Sequence, residues 1–203
     1  MLGLKEHILI FRVQKLRDRE AFGVLYETYA DRIARFLSMK VGDGEVVADL
    51  LQEVFFKAWK YLMEDEAVEH PQALFFRIAR TTVIDHYRRT DPEALSLDDD
   101  NAPEVVSAGI RTDQLDAKRD VEKVRAMLGK LRASYREAIQ LRYFEEMSID
   151  EIAQALDKTP GTVRVLVHRA VTALEDLLAE ESRPYVKEIG TTPNVGEEHP
   201  GAR

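Results

Sequence analysis

The chain contains 203 residues with a formal net charge of −8, and 45% of its residues are hydrophobic. This length allows one large or two small domains, and this hydrophobic fraction excludes a wholly disordered chain. The absence of cysteine excludes disulfide scaffolds, thiolate metal sites and cysteine nucleophiles. No apolar run approaches the ~20 residues that span a bilayer, and the N-terminus lacks a secretory cleavage site, so we expect a cytoplasmic protein without membrane contact.

The first block of the chain, residues 1–90, has the apolar spacing of a helical bundle. Apolar residues recur on one helix face over 22–37, and Gly42 and Gly44 then interrupt the pattern. A second amphipathic helix follows, and Pro71 is a favoured first residue for a third. No stretch of the whole chain combines strand alternation with turn chemistry. The sequence therefore predicts an all-α protein.

An acidic segment, residues 91–115, separates the two helical blocks. Between Asp91 and Asp116 there are eight acidic residues and a single base, Arg111, so this stretch carries −7 and leaves −1 for the rest of the chain. It contains Pro, Ser and Asn and lacks a helical period, which predicts a flexible linker extended by self-repulsion. Because the acidity is concentrated here, the net charge does not exclude nucleic-acid binding. The tail, residues 182–203, is rich in Pro, Gly and Glu and is predicted to be disordered.

The second block, residues 116–181, carries helix-start signals at short intervals. Ser134 with Glu137, and again Ser148 with Glu151, have the spacing of a capping box. We therefore expect several short helices that form a second small domain.

Within this block, SIDEIAQALDKTPGTVRVLVHRAV has helix-turn-helix spacing. A short helix containing the small residue Ala153 is followed by a tight turn and by a second helix, which Thr159 caps and Pro160 begins. A recognition helix of this kind places its N-terminal half in the major groove of DNA. The alternative is a plain helical hairpin with solvated arginines. The residues predicted to point outward are Thr162, Arg164, Val165, His168 and Arg169.

The third helix of the first block is basic on one face. Between residues 73 and 89 four arginines face a single acid, Asp85, and aromatic residues lie between them. Basic and aromatic side chains together suit single-stranded nucleic acid, although arginines on a solvated face are also ordinary. The arginines are Arg77, Arg80, Arg88 and Arg89.

The segment VVADLLQEVFFKAW forms an amphipathic helix whose polar face is partly acidic. Such a face can dock a basic partner helix, or it can simply be solvated. The polar residues are Asp49, Gln52, Glu53 and Lys57.

In their order along the chain these three segments resemble the extracytoplasmic-function group of bacterial RNA polymerase sigma factors. VVADLLQEVFFKAW is similar to the family pattern D-x-x-Q-x-x-F-x-x-x-W, and FRIARTTVIDHYRR is similar to the promoter-melting helix of the family, FRIARNxxIDxxRR. The second block resembles the C-terminal domain of the family from end to end.

This resemblance implies a sigma region 2 domain at 1–90 and a sigma region 4 helix-turn-helix domain at 116–181. In the family, the helix with Asp49, Gln52 and Glu53 docks on the clamp of the largest polymerase subunit, and the second domain holds the flap of the second-largest subunit. The basic helix captures the downstream promoter element as a melted strand, and the helix-turn-helix reads the upstream element as duplex. The linker would tether the two modules, and an anti-sigma factor is a further partner known for many members.

The chain departs from the family pattern in a few places. Thr81, which we include among the DNA-binding residues, stands where the family usually has Asn, and Asp157 occupies the turn position where Gly is typical. Val165 replaces a polar or basic residue on the recognition helix, which predicts fewer phosphate contacts. An alternative function is therefore a sigma-like adapter that binds polymerase or a regulator without reading a promoter.

The sequence offers no sign of catalysis. Its histidines are scattered, and it contains no HExxH, glycine-rich phosphate loop or GxSxG motif. We therefore expect no enzymatic activity, no catalytic or metal site and no cofactor.

Overall fold

A computed structural model describes residues 2–90 and 126–181, and within these ranges the chain is helical without strands. The predicted linker at 91–115 and tail at 182–203 lie outside the described residues. The first block forms a bundle of four helices: α1 (Leu2–Leu16), α2 (Arg19–Ser38), α3 (Gly44–Met63) and α4 (Pro71–Thr90).

Helix α1 is an element that the sequence analysis did not predict. It buries Ile10 and Val13 against the bundle, while Leu4 and Phe11 are exposed. Apolar residues on two sides of a helix blur the single stripe on which periodicity depends. The buried Glu6 carboxylate of α1 accepts a hydrogen bond of 2.7 Å from a tyrosine of α2, so α1 is also held by a polar contact.

The starts of the next three helices follow local chemistry. Asp18 accepts hydrogen bonds from the first backbone amides of α2, and Asp43 does the same for α3. These amides and the Arg12 guanidinium lower the pKa of the Asp18 carboxyl. Pro71 is the first residue of α4, as predicted.

Stacked aromatic rings join α4 to α2 at the centre of the bundle. The rings of Tyr29 and Phe75 stack with centroids 4.4 Å apart, and Phe36 meets Phe76 edge to face at 5.3 Å. All four side chains are almost completely buried. This packing fixes which side of α4 is left for other contacts.

The second block forms a smaller helical domain. Residues 126–130 are helical, α5 (Ala133–Ile139) continues into a π-helical turn at Gln140–Phe144, and α6 (Ile149–Leu156) precedes α7 (Pro160–Glu181). The all-α fold with two domains is thus confirmed.

The two predicted capping boxes differ in outcome. The box at Ser148 and Glu151 is present, with hydrogen bonds of 2.7 and 3.2 Å. The box at Ser134 and Glu137 is wrong, because α5 begins at Ala133 and has no side-chain cap. Glu137 is buried and takes part in contacts between the domains instead.

The two domains pack directly against each other. Helix α4 of the first domain contacts α6 of the second. The sequence analysis expected modules tethered by a linker and gave no indication of this contact. No helix among the described residues is long and apolar enough to cross a membrane.

The turn between α6 and α7 yields a test of local strain. Asp157 ends α6 with φ 54° and ψ 48°, a left-handed conformation that costs an L residue about 1 kcal/mol or more and costs glycine little. We expect Asp157→Gly to raise the melting temperature modestly and Asp157→Val to lower it. Thermal unfolding followed by circular dichroism measures both, and equal melting temperatures for the two variants would contradict this account.

Candidate functional site

The outer face of α7 carries all five predicted DNA-reading residues. Thr162, Arg164, Val165, His168 and Arg169 are exposed, whereas Val163, Val167 and Ala170 are buried on the opposite side. The prediction that these five side chains point outward is therefore confirmed. Its role in DNA binding stays a prediction.

A rigid turn sets the direction of α7. The backbone amide of Lys158 donates to the carbonyl of Ala153 at 2.9 Å, which closes the end of α6. The Thr159 hydroxyl oxygen accepts from the Thr162 amide at 3.2 Å and caps α7. Because Ala153 is small and buried, the two helices can approach closely. The arrangement is a helix-turn-helix whose second helix presents its N-terminal half to solvent.

The predicted DNA-binding residues of α4 differ in exposure, because four face solvent and one contacts the second domain. Arg77, Thr81, Arg88 and Arg89 are exposed. Arg80 is partly buried, because its guanidinium approaches a carboxylate of the second domain. The exposed residues form a basic stripe along α4.

Arg77 and Thr81 of this stripe have contacts within the first domain. The Arg77 guanidinium lies 5.6 Å from the ring centre of Tyr61, an arrangement that holds the charge near an aromatic face. The Thr81 hydroxyl donates to backbone carbonyls of its own helix, at 3.1 Å to Arg77 and 3.0 Å to Ile78. The Thr81 side chain is therefore already engaged with the helix on which it stands.

The polar face of α3 also separates into two parts. Asp49 and Gln52 are exposed and open to a partner. Lys57 is engaged within the domain: its ammonium lies 2.9 Å from Glu53 and 3.1 Å from Asp85 of α4. Glu53 in turn pairs with Arg89 at 3.2 Å. This network joins the predicted docking helix to the predicted melting helix.

The network shifts the pKa values of its members. Partial burial raises the pKa of the Glu53 carboxyl, but hydrogen bonds from Lys57 and Arg89 outweigh it, so this pKa is lowered. Burial likewise opposes the charge of Lys57, yet the carboxylates of Glu53 and Asp85 raise the pKa of its ammonium. Both groups are therefore held in their charged forms.

Ion pairs that the sequence analysis did not predict join the two domains. The Arg32 guanidinium of α2 pairs with Glu145 at 2.7 Å and donates to the Glu145 carbonyl at 3.0 Å. Lys40, just after α2, lies 3.0 Å from Glu137, and Arg80 of α4 lies 3.5 Å from the same carboxylate. No sequence pattern marks these pairs, because their members are about 60 to 110 residues apart.

A cleft of about 580 Å³ lies where the loop before α4 meets the helix-turn-helix. Its first-domain wall includes Tyr61, His70 and Arg77, and its second-domain wall includes Asp150 and Lys158. The helix-turn-helix therefore faces the loop that precedes α4, the helix to which the family resemblance assigns capture of the melted strand.

Within the described residues, no three His, Asp or Glu side chains converge as metal ligands would. The exposed positions of α4 and α7 instead carry arginine, threonine and histidine side chains.

Family models match both domains of the chain. Sigma-70 region 2 matches residues 25–93, and Sigma-70, region 4 matches residues 122–174. The two matches together cover more than half of the chain and occur in the order of the predicted domains.

Curated relatives match over most of the chain. The extracytoplasmic-function sigma factor SigL of Mycobacterium tuberculosis is 31% identical over 160 residues, which cover 77% of this chain and 88% of SigL. The corresponding factor BldN of Streptomyces coelicolor is 28% identical over 182 residues, which cover 82% of this chain and 63% of the longer BldN.

Two solved structures share the fold. CnrH, in complex with the cytosolic domain of CnrY, is 25% identical with a TM-score of 0.64 and covers 88% of this chain and 99% of its own. The sigma factor RpoE of Bartonella quintana, in complex with the anti-sigma factor NepR, is 23% identical with a TM-score of 0.61. The match covers 78% of this chain and 96% of the RpoE chain.

The Lys57 network predicts a change in titration. In Lys57→Met the pKa of Glu53 should rise toward its ordinary value, because the hydrogen bond that most lowers it is lost. In the wild type this pKa is lower than in the unfolded chain, so the contribution of Glu53 to stability is present at neutral pH and is lost as the pH falls through the folded pKa. Carboxyl carbon shifts in an NMR titration measure the change.

The control is Lys60→Met, which removes an exposed ammonium from the same helix. An unchanged Glu53 titration in Lys57→Met, or an equal shift in both variants, would contradict the assignment of the network.

Proposed function

This chain belongs to the extracytoplasmic-function sigma factors of bacterial RNA polymerase, and we propose how its surfaces bind core polymerase and promoter DNA. The protein directs the polymerase to promoters. The observation that carries the proposal is that each of the three family motifs presents polar or basic side chains to solvent, on α3, α4 and α7 of two domains of one chain. Asp49, Arg77 and Arg164 are examples.

The exposed face of α7 reads the upstream promoter element in the major groove. Arg164 and Arg169 can donate to guanine edges or to phosphates, and Thr162 and His168 lie beside them. Val165 is half exposed and suits contact with a thymine methyl group. With two arginines on this face, the binding should depend on salt less steeply than that of a more basic helix.

The basic stripe of α4 binds the downstream element as an opened strand. Arg77, Arg88 and Arg89 supply positive charge along one helix face, and Arg77 lies beside the ring of Tyr61. Thr81 lies on the same exposed side. Cationic groups that follow a DNA backbone, with an aromatic ring near by, suit single-stranded DNA. Contacts between the unstacked bases and the protein then offset the few kcal/mol that opening the duplex costs.

The polymerase is held by both domains. On α3, Asp49 and Gln52 contact the clamp of the largest subunit directly, while Glu53 and Lys57 set the position of α3 relative to α4. The second domain holds the flap of the second-largest subunit, and the exposed pair Tyr143 and Phe144 offers it an apolar contact. Because both domains grip one assembly, each can bind weakly on its own.

Other parts of the assignment follow from this role. We place the domain boundaries at 1–90, 91–115, 116–181 and 182–203, and we place the protein in the cytoplasm, where polymerase acts. We assign it no catalytic activity. The solved complex of RpoE with NepR supports an anti-sigma factor as a further partner.

Reconstitution with purified core polymerase tests the proposal. Genomic fragments are transcribed in vitro with core alone and with core plus this protein, and the transcript starts are mapped. We expect new starts that share a two-part upstream sequence. Binding to core without any promoter-directed transcript would instead favour the adapter without promoter recognition.

Substitution of Arg164 tests the reading of duplex DNA. In Arg164→Ala, affinity for the upstream element should fall by about 5- to 150-fold, since a good bidentate pair with a base contributes about 1–3 kcal/mol. Binding to core polymerase should not change. Fluorescence anisotropy with duplex DNA and a pull-down with core measure the two properties.

The control is Arg19→Ala, an exposed arginine at the start of α2. Equal loss of DNA and core binding in Arg164→Ala, or equal DNA loss in both variants, would contradict the assigned role.

Substitution of Asp49 tests the docking surface. In Asp49→Arg, binding to core polymerase should fall at least tenfold, because reversed charge on an exposed docking face repels a basic partner. The melting temperature should stay the same, since Asp49 is exposed. Glu175→Arg makes the same charge change on an exposed site of α7 and serves as the control. Normal core binding by Asp49→Arg would remove this face from the interface.

A further inference from the structure

Three basic residues of the first domain converge on two carboxylates of the second. Arg32 pairs with Glu145, with 2.7 Å between Nε and Oε2. Lys40 and Arg80 both approach Glu137, at 3.0 Å and 3.5 Å. We call Arg32, Lys40 and Arg80 the cation cluster. Glu137 lies in α5 and Glu145 directly follows the π-helical turn, so the cluster contacts carboxylates from two segments of the second domain.

The two carboxylate side chains are more deeply buried than the three basic side chains. The Glu145 side chain is 1% exposed and that of Glu137 is 10% exposed, whereas the three basic side chains retain 22–25%. Gln72 of the first domain also donates to the Glu145 carbonyl at 2.6 Å. The first domain therefore surrounds these acidic groups, while its own cations remain at the rim of the contact.

Aromatic rings of the first domain hold two of these cations in place. The Arg32 guanidinium lies 5.5 Å from the ring centre of Tyr29 and 5.8 Å from that of Phe76, and the Lys40 ammonium lies 4.9 Å from that of Phe36. These rings belong to the core of the first domain. Arg32 and Lys40 are thus supported independently of the second domain. A guanidinium binds phosphate as readily as carboxylate.

Each oxygen of Glu137 faces one cation of the cluster. Oε1 lies 3.0 Å from Nζ of Lys40, and Oε2 lies 3.5 Å from Nε of Arg80. A phosphate group offers more acceptor oxygens than a carboxylate and can approach from the exposed rim.

We propose that the cation cluster is a binding site for nucleic-acid phosphates, and that Glu137 and Glu145 occupy this site in the free protein. Phosphate binding at the cluster and contact between the domains then exclude each other. The identity of the nucleic acid as promoter DNA rests on the proposed function, whereas the competition itself does not.

Closure also covers the neighbouring part of the first domain. Gln154 of α6 reaches Glu69, in the loop before α4, with a hydrogen bond of 3.2 Å. The cleft between them lies beside Arg77. Release of Glu137 and Glu145 therefore uncovers this loop and one side of α4 along with the cation cluster.

Neutral variants of the full chain test the proposal on the acidic side. Small-angle X-ray scattering of Glu137→Gln with Glu145→Gln should give a larger radius of gyration than the wild type. Affinity for a labelled oligothymidine strand should rise about tenfold, as expected when about one wild-type molecule in ten is open. Glu146→Gln makes the same change at the exposed neighbouring residue and should alter neither quantity.

Variants of the cations separate a phosphate site from a purely structural contact. Arg32→Gln with Lys40→Gln should also increase the radius of gyration, but its affinity for the oligothymidine strand should fall below that of the open acidic variant. These two residues lie outside the surfaces assigned above to promoter and polymerase, so the result is independent of the transcription assay. Equal affinity in the two open variants would overturn the phosphate site.

An unchanged radius of gyration in the acidic variant would overturn the competition. Circular dichroism checks that helix content is retained, and the single variants Glu137→Gln and Glu145→Gln replace the double variant if it unfolds. Unfolding of both single variants would mean that these carboxylates are needed within the second domain itself, which also overturns the proposal.

Discussion

Helix α4 is buried on two sides, and this double burial positions the surfaces to which function is assigned. On one side Phe75 and Phe76 pack into the aromatic core of the first domain, and on another side α6 of the second domain covers the helix. Nine of its 20 residues are buried. The basic stripe that includes Arg77 and Arg88 occupies the part of α4 that remains open, so the same packing that stabilises the helix leaves these two arginines exposed to solvent.

The contact between the domains combines apolar packing with buried charge, and the charge makes it suited to reversal. Removal of one partner from a buried ion pair costs roughly 3–5 kcal/mol, because the other charge is left without compensation. When the domains separate, however, Arg32 and Glu145 both return to water, and the net cost is much smaller. Such pairs contribute to the orientation of the domains more than to stability. If the phosphates of a polyanion replace the carboxylates, the cations of the cluster remain paired with negative charge when the domains separate.

Sequence periodicity predicted the helices α2, α3 and α7 and the exposed face of α7, because each has a recurring apolar face. Local start signals predicted the other two helices: Pro71 predicted α4, and the capping box of Ser148 and Glu151 predicted α6. Periodicity missed α1, whose exposed Phe11 places apolar residues on two sides. It also misread Glu137, which has capping-box spacing after Ser134 but is buried among cations of the other domain. Periodicity identifies which side of a helix is buried, but long-range packing determines which part of the chain covers it. Arg80 was therefore predicted to bind DNA, and its contact with Glu137 of the second domain was not predicted.

A photo-crosslinking residue at position 81 tests most directly whether α4 captures an opened strand. Thr81 is exposed and its hydroxyl bonds only within its own helix among the described contacts, so a crosslinking side chain can replace it without disturbing the core. In an initiation complex with core polymerase and a promoter that the protein transcribes, we expect crosslinks to one DNA strand in the melted region. Crosslinks confined to polymerase subunits or to upstream duplex DNA would contradict the account.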